Sequence, residues 1–290
     1  MSMKIFKFIF LISLAAFPKI IESSSINETT FAFWDKADVQ LFYIKPDKVD
    51  KNTQFLFVIH GNSRNAKDYL KAWIPYIKNK NIIVVAPRFE KKYFRYFFLL
   101  QTANSSGELN VNQKDYIDDS LSLFFNYFKD RYSLDINKYK IFGHSAGAQF
   151  AHRYMLLSND YRISNVVLAN AGWYTFLDNN KFPYGITESP IKITSERVRW
   201  FMSNRTSLMI GSEDIDLKSV NDSPGANNQG RTRVDRANNY FNNLALIGEK
   251  NNVPFRWKFY EIKGVDHDYK KMSQAAQNIL LNDVAGNDFN

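Results

Sequence analysis

A serine between two glycines is the feature of this sequence with the clearest chemical meaning. Residues 143–147 read GHSAG, a G-x-S-x-G pentapeptide that chance would place in such a chain roughly one time in ten. A short apolar run at residues 139–142 precedes it, and a helical pattern with small residues at 146–157 follows it. A tight strand-to-helix turn here strains the serine backbone and lifts its hydroxyl above the sheet, at the positive end of a helix dipole. Ser145 is therefore a candidate nucleophile.

The pentapeptide and its flanks resemble the nucleophile elbow of the α/β-hydrolase superfamily, whose catalytic triad follows the chain order serine, acid, histidine. Of the four histidines, His152 and His267 follow Ser145. His152 lies on the same predicted helix, about 10 Å away along its axis, so it cannot take the serine proton and is expected to be a hydrogen-bonded core residue. The resemblance makes His267, between the last predicted strand and helix, the general base and then the general acid.

The same resemblance places the triad acid after a predicted strand at residues 207–210. The sequence GSED that follows this strand matches the G-x-x-D pattern of the superfamily's acid loop and ends at Asp214. Asp214 is expected to hold the tautomer of His267 and to stabilise the imidazolium that forms during attack. Asp216 competes for this role, and Glu213 is a weaker competitor.

Backbone N–H groups are expected to stabilise the oxyanion of the reaction. One donor is the N–H of Ala146, the residue after the nucleophile. The other is expected from the loop after a predicted strand at residues 54–59, where the sequence HGN resembles the superfamily's oxyanion loop. We assign it to Asn62, with Gly61 and Ser63 as the alternatives. Two histidines are expected to brace these turns rather than to act in catalysis: His60 and His144.

Apolar patterning predicts alternating strands and helices around these motifs. Further strands are expected at residues 39–44, 81–86, 165–168 and 255–262, with Pro87 ending the second of them. Further helices are expected at residues 115–132, 231–250 and 269–281. Continuous hydrophobic strands between helices favour the α/β class, with a mostly parallel central sheet and helices on both faces. The resemblance specifies this as the α/β-hydrolase fold.

The chain is expected to form a single α/β-hydrolase domain over residues 26–290, with loop insertions at about 88–113 and 175–204. Both insertions follow predicted strands, so they emerge at the carboxyl edge of the sheet, where open α/β folds bind ligands. Residues 93–100 read YFRYFFLL. This segment is open to three interpretations: a lid, an interfacial surface for insoluble substrate, or a buried helix.

Over residues 40–281 the chain is similar to secreted polyhydroxyalkanoate depolymerases and feruloyl esterases. The similarity depends on residues 60–62, 143–147, 170–174, 183–185 and 267. It implies that Trp173 and Tyr174 follow the strand beside the nucleophile strand, where they form a substrate-pocket wall or pack in the core. The paired cysteines of many depolymerases are absent, so polymer hydrolysis does not follow from the resemblance.

Composition sets limits on the class of protein. The chain has 290 residues, of which 45% are hydrophobic and 16% aromatic, which excludes a disordered or collagen-like chain. The absence of cysteine excludes a cysteine nucleophile, a disulfide scaffold and cysteine-ligated metals. The triad needs neither cofactor nor metal, and none is expected. The formal charge of +9 arises from bases that alternate with acids, so no nucleic-acid partner is expected.

Residues 1–25 are predicted to be a signal peptide. Two lysines precede the apolar run FIFLISLAAF, and a small polar stretch follows it, with cleavage expected around residues 21–25. The run is shorter than the ~20 residues that a membrane span needs, so no transmembrane segment is expected in the mature chain. A buried N-terminal strand or helix is the alternative. The signal peptide predicts a secreted or periplasmic protein.

These features together predict an exported serine hydrolase that cleaves small-molecule or polymeric carboxylic esters through an acyl-enzyme intermediate. A peptidase or an acyltransferase can use the same triad. A non-catalytic binding protein on this scaffold would be expected to lack a triad residue, whereas all three are present. The acyl and alcohol groups and the oligomeric state stay open.

Overall fold

The computed structural model describes residues 25–217 and 219–282, so the predicted signal peptide lies outside the described residues except for Ser25. The strands are β1 (Asn27–Phe31), β2 (Val39–Ile44), β3 (Gln54–Ile59), β4 (Ile82–Arg88), β5 (Tyr139–His144), β6 (Ile163–Ala169), β7 (Thr206–Gly211) and β8 (Lys258–Ile262). The helices are α1 (Ala66–Lys71), α2 (Ile74–Ile77), α3 (Ser120–Tyr132), α4 (Ala146–Leu157), α5 (Ser195–Ser203), α6 (Pro224–Asn227), α7 (Arg233–Lys250) and α8 (Tyr269–Leu280). Within this part of the chain, no helix is long and apolar enough to cross a membrane.

The described strands join in one sheet with the order β1-β2-β4-β3-β5-β6-β7-β8. β1 pairs antiparallel with β2, and β2 pairs antiparallel with β4. All other neighbours pair in parallel. Because parallel strands end at the same edge, the loops after β3, β5, β7 and β8 emerge close together. These are the loops that carry the predicted site residues.

Both faces of the sheet are covered, as β3 shows. Phe55, Phe57 and Ile59 pack into an apolar cluster with α3, α4 and α7. The alternate residues Leu56 and Val58 pack into a second cluster with α1 and α8. Side chains that alternate between two buried faces give a continuous apolar strand. The prediction of an α/β fold, mostly parallel with helices on both faces, is confirmed.

The prediction that Pro87 ends its strand is wrong, since β4 continues to Arg88. Pro87 pairs with Leu41 of β2, while the pairing of β4 with β3 ends at Phe57 and Val85. Proline has no N–H to donate, but it lies beyond the end of the parallel ladder. The strand therefore passes through it with β2 as its partner.

Several elements have no counterpart among the predictions: the strand β1, the helix α5 and the short helices α1, α2 and α6. β1 reads NETTF, and Phe31 is its fully buried residue, so its sequence has the polarity of a loop. α5 lies within the expected insertion at 175–204, where the side chain of Thr194 caps it by accepting from the N–H of Arg197 at 3.1 Å. The long helix predicted from residue 115 begins at Ser120.

Residues 93–100 are largely buried, which agrees with the third of their interpretations. Phe94, Phe97, Leu99 and Leu100 are at most 3% exposed, whereas Tyr93 lies at the surface. Residues 97–99 form a 3-10 turn instead of the α-helix that was expected. Because its apolar side chains belong to the core, the segment does not present an apolar lid surface.

Buried arginines hold the loops at the carboxyl edge of the sheet. Arg64 donates to the carbonyl oxygens of Phe89, Phe94 and Arg95 at 2.9–3.1 Å. Arg153 donates to Phe98 O and Thr175 Oγ1. Arg236 donates to the carbonyl oxygens of Gly172, Asn221 and Gly230. Each guanidinium joins segments that are distant in sequence.

Three buried histidines should make the protein sensitive to mild acid. Burial lowers the pKa of His60 to about 3 and places those of His144 and His152 well below the usual value. Below pH ~6.5 the unfolded chain binds protons that the folded chain excludes, so stability falls as pH falls. We expect unfolding to become easier by about 4 kcal/mol between pH 7.5 and 5.5, because each of the three groups contributes about 1.4 kcal/mol over this interval, mostly below pH ~6.5. Urea unfolding at both pH values measures this, and equal midpoints would contradict it.

Candidate active site

Ser145 occupies a sharp turn between β5 and α4. Its backbone has φ 56° and ψ −121°, a conformation that costs a non-glycine residue energy and persists because the surroundings hold it. Its N–H donates to the carbonyl oxygen of Ala169 on β6 at 2.9 Å. A Cβ atom on Gly143 would lie 2.4 Å from the carbonyl oxygen of Gly147. The strained turn that the sequence predicts is present, and close approach of the backbone explains its glycines.

Gly147 gives a stability prediction. A Cβ atom on it would lie 2.2 Å from the carbonyl oxygen of Ile59 and 2.7 Å from that of His60, and backbone atoms cannot move aside cheaply. We expect Gly147→Ala to lower the free energy of unfolding by about 3 kcal/mol, measured by urea denaturation. Gly172→Ala is the matched control, because its Cβ would meet the flexible end of Gln149, and it should cost about 1 kcal/mol. Equal stability of the two variants would refute this reasoning.

Three residues predicted for catalysis lie in one chain of hydrogen bonds. Nε2 of His267 is 2.9 Å from Oγ of Ser145, and Nδ1 of His267 is 2.7 Å from Oδ2 of Asp214. With the ring proton on Nδ1, the serine hydroxyl donates to Nε2 and the imidazole donates to the carboxylate. This is the arrangement in which an imidazole can take the serine proton.

The three residues come from three loops at the same edge of the sheet. Ser145 follows β5, Asp214 follows β7, and His267 lies between β8 and α8. Asp214 is 1% exposed, whereas its competitors Asp216 and Glu213 are exposed. The structure therefore brings Asp214 to the imidazole.

Asn170 joins two of these loops and was missed by the sequence analysis. Its Nδ2 donates to the carbonyl oxygen of Asp266 at 2.9 Å, and its Oδ1 accepts from the N–H of Gly211 at 2.9 Å. A Cβ atom on Gly211 would lie 2.2 Å from the carbonyl oxygen of Val265. The end of β7 and the loop of His267 are thus held in direct contact.

One predicted oxyanion donor, Ala146, and the loop residue Gly61 lie beside the nucleophile. Ala146 is the first residue of α4, so its N–H has no acceptor within the helix. Gly61 touches the serine, since a Cβ atom on it would lie 3.5 Å from Cβ of Ser145. Asn62 and Ser63 follow it at the surface. The assignment of the second donor to Asn62 stays a prediction.

His60 braces the loop after β3, as predicted. Its buried ring contacts the carbonyl oxygen of Gly61 through Nδ1 at 2.8 Å and accepts from the N–H of Phe89 through Nε2 at 3.1 Å. One side chain therefore ties the candidate oxyanion loop to the segment after β4. Because both ring nitrogens of His60 have backbone partners, neither bonds to the hydroxyl of Ser145.

His144 has a structural partner that the sequence did not indicate. Its Nδ1 lies 2.8 Å from the hydroxyl of Tyr69 on α1. The ring of Tyr69 stacks on that of Tyr269, with centroids 4.2 Å apart, and its hydroxyl lies against Gly61. Tyr69 thus contacts the elbow, the oxyanion loop and the helix after His267. Its apolar helical position gave no signal of this role.

Comparisons with known proteins bear on the fold. No family model and no curated protein matches the sequence. Among solved structures, poly(aspartic acid) hydrolase-1 from Sphingomonas sp. KT-1 is 29% identical with a TM-score of 0.82, over 89% of this chain and 99% of that one. LpqC, a poly(3-hydroxybutyrate) depolymerase from Bordetella parapertussis, is 24% identical with a TM-score of 0.80, over 88% and 89%. The chain has the α/β-hydrolase fold.

A structure with lower sequence identity shares the same fold. A ferulic acid esterase from Anaeromyces mucronatus is 15% identical with a TM-score of 0.55, over 91% of this chain and 92% of that one. At this identity the likeness concerns the fold alone. This shared fold is the α/β-hydrolase fold that the sequence motifs predict.

Trp173 and Tyr174 lie in the core of the α/β-hydrolase fold. Tyr174 is 0% exposed and stacks on Tyr240, with centroids 4.3 Å apart. Trp173 is 3% exposed and lies under the guanidinium of Arg153, 4.0 Å from its ring. Because neither ring reaches solvent, the structure favours the core-packing alternative over the pocket wall. His152 also lies in the core as predicted, bonded to Ala148 O and the N–H of Thr175.

A cleft of about 530 Å³ in this α/β-hydrolase fold is remote from Ser145. It lies between the end of β2 and the start of β4, at the opposite edge of the sheet, and contains Lys45, Lys48, Lys78 and Lys80. This cleft therefore does not coincide with the candidate site. The described residues also contain no cluster of histidine, aspartate or glutamate suited to a metal ion.

Proposed function

We propose that this chain is an exported serine hydrolase that cleaves carboxylic esters through an acyl-enzyme intermediate. The observation that carries the proposal is the continuous chain of hydrogen bonds from Ser145 through His267 to Asp214, at 2.9 and 2.7 Å. These hydrogen bonds lie at the carboxyl edge of the sheet, where open α/β folds bind ligands, and this position further supports the proposal.

The chemistry follows from the proposed roles. His267 takes the proton of Ser145 as Oγ attacks the ester carbonyl carbon, and Asp214 stabilises the imidazolium. The N–H groups of Ala146 and Asn62 donate to the oxyanion, each contributing about 3–4 kcal/mol to transition-state stabilisation. His267 then gives the proton to the leaving alcohol. In the second half of the reaction, His267 takes a proton from water as the water attacks the acyl carbon. The bond to Oγ of Ser145 then breaks, the proton returns to the serine, and the acid is released.

Labelling with a fluorophosphonate tests the nucleophile. The wild-type protein should react covalently, and Ser145→Ala should not, because the probe phosphonylates an activated serine. Ser203→Ala is the matched control, since its hydroxyl bonds to Arg199 O on α5, and it should label like the wild type. A folded wild-type protein that does not label would favour a non-catalytic binding protein.

An amide substrate is the second candidate, and one likeness favours it. The Sphingomonas neighbour is a poly(aspartic acid) hydrolase, and that polymer is joined by amide bonds. Turnover of short and long acyl nitrophenyl esters beside aminoacyl nitroanilides distinguishes the two classes. We expect the esters to be cleaved faster, because an alcohol leaves more readily than an amine.

Export is the remaining part of the proposal, and it is supported by the charge and apolar pattern of residues 1–25. Expression of the full chain in a bacterium should place the shortened protein outside the cytoplasm. A chain that begins at residue 26 should stay in the cytoplasm. Retention of both proteins in the cytoplasm would overturn this part alone.

A further inference from the structure

The carboxylate of Asp214 has a second partner besides the imidazole. Nη1 of Arg233, the first residue of α7, donates to Oδ1 of Asp214 at 2.9 Å. Its Nη2 donates to the carbonyl oxygen and the hydroxyl of Ser219 at 2.8 and 2.9 Å. The side chains of Arg233 and Asp214 are 4% and 1% exposed. The ion pair is therefore shielded from solvent.

This arrangement divides the two oxygens of the carboxylate between two donors. Oδ1 faces the guanidinium, and Oδ2 accepts from Nδ1 of His267 at 2.7 Å. A carboxylate bonded on both sides cannot rotate about its Cβ–Cγ bond without breaking a charged hydrogen bond. Ser219 in turn holds the guanidinium in place. Loss of Arg233 would leave a buried carboxylate with one oxygen unpaired.

We infer that Arg233 is a positioning residue for the triad. This inference rests on the proposed function. Arg233 bonds to Oδ1 of Asp214 and so keeps Oδ2 directed toward Nδ1 of His267. The imidazole in turn keeps Nε2 directed toward the hydroxyl of Ser145.

Arg233→Met tests this role, since methionine has similar reach without the guanidinium fork. We expect kcat for a nitrophenyl ester to fall by at least about tenfold while KM changes little, a split that a general loss of structure would not cause. Arg231→Met removes an exposed charge two residues earlier and should leave kcat in place. A folded Arg233→Met protein with the wild-type kcat overturns the inference.

Arg233→Lys keeps the inference testable if the methionine variant does not fold. Lysine keeps the charge but cannot reach Asp214 and Ser219 with a planar fork, so kcat should fall while KM stays near the wild-type value. Wild-type kcat in this variant overturns the positioning role. A wild-type protein without esterase activity or fluorophosphonate labelling instead refutes the proposed function, which separates the two failures.

Discussion

Replacing His267 with glutamine is expected to lower kcat for a nitrophenyl ester by on the order of 10⁴- to 10⁶-fold. Glutamine can accept a hydrogen bond from Ser145, but it cannot take the proton during attack. Nε2 of His267 lies 2.9 Å from Oγ of Ser145, so this imidazole is in position to accept the serine proton. KM should change little, because the ring acts mainly in the transition state. Steady-state kinetics, with circular dichroism to check folding, measure this effect.

Asp266→Asn provides the matched control. Asp266 is the exposed neighbour of His267 in the same loop, and its charge is screened by solvent. We expect kcat to change by less than about threefold. Comparable losses in both variants would mean that the loop as a whole, rather than the imidazole, controls activity.

Replacing Asp214 with asparagine is expected to lower kcat by about 10⁴-fold. Arg233 donates to one oxygen of Asp214 and His267 donates to the other. In the variant, Arg233 should attract the amide oxygen, so that the amide NH₂ faces the imidazole. That group must find an acceptor, which places the ring proton on Nε2 and removes the base from Ser145. Kinetics near neutral pH measure the loss.

Asp216→Asn decides between the two carboxylates that the sequence left open. Asp216 is exposed, while Nδ1 of His267 bonds to Asp214. We expect kcat of this variant to stay within about twofold of the wild type. A severe loss at Asp216 with full activity at Asp214→Asn would reverse the assignment of the acid.

The features that the sequence predicted well are those encoded locally. The elbow depends on two glycines, a preceding apolar strand and a following helix of small residues, all within a short stretch around Ser145. α4 has the bounds that its pattern predicts, and the strands that carry the acid and the histidine were predicted from their apolar runs. The chain order of the superfamily's triad then reduced four histidines to two, and the position of His152 on the helix of Ser145 left His267 as the candidate base.

The features that the sequence did not predict depend on tertiary contacts. Arg233 looks like any helical surface residue until the fold places it against Asp214. Tyr69 contacts three site loops only because α1 packs beside the elbow. The environment of Tyr174 is set by Tyr240, a partner far along the chain. Since each contact joins distant segments, periodicity and motifs carry no signal for it.

The guanidinium bonds of Arg64, Arg153 and Arg236 have a practical consequence. They cross-link the loops around the site through main-chain carbonyls in a chain that has no cysteine. Maturation of this sequence therefore requires no disulfide formation and no disulfide isomerase. Thiol reductants should leave the folded protein intact.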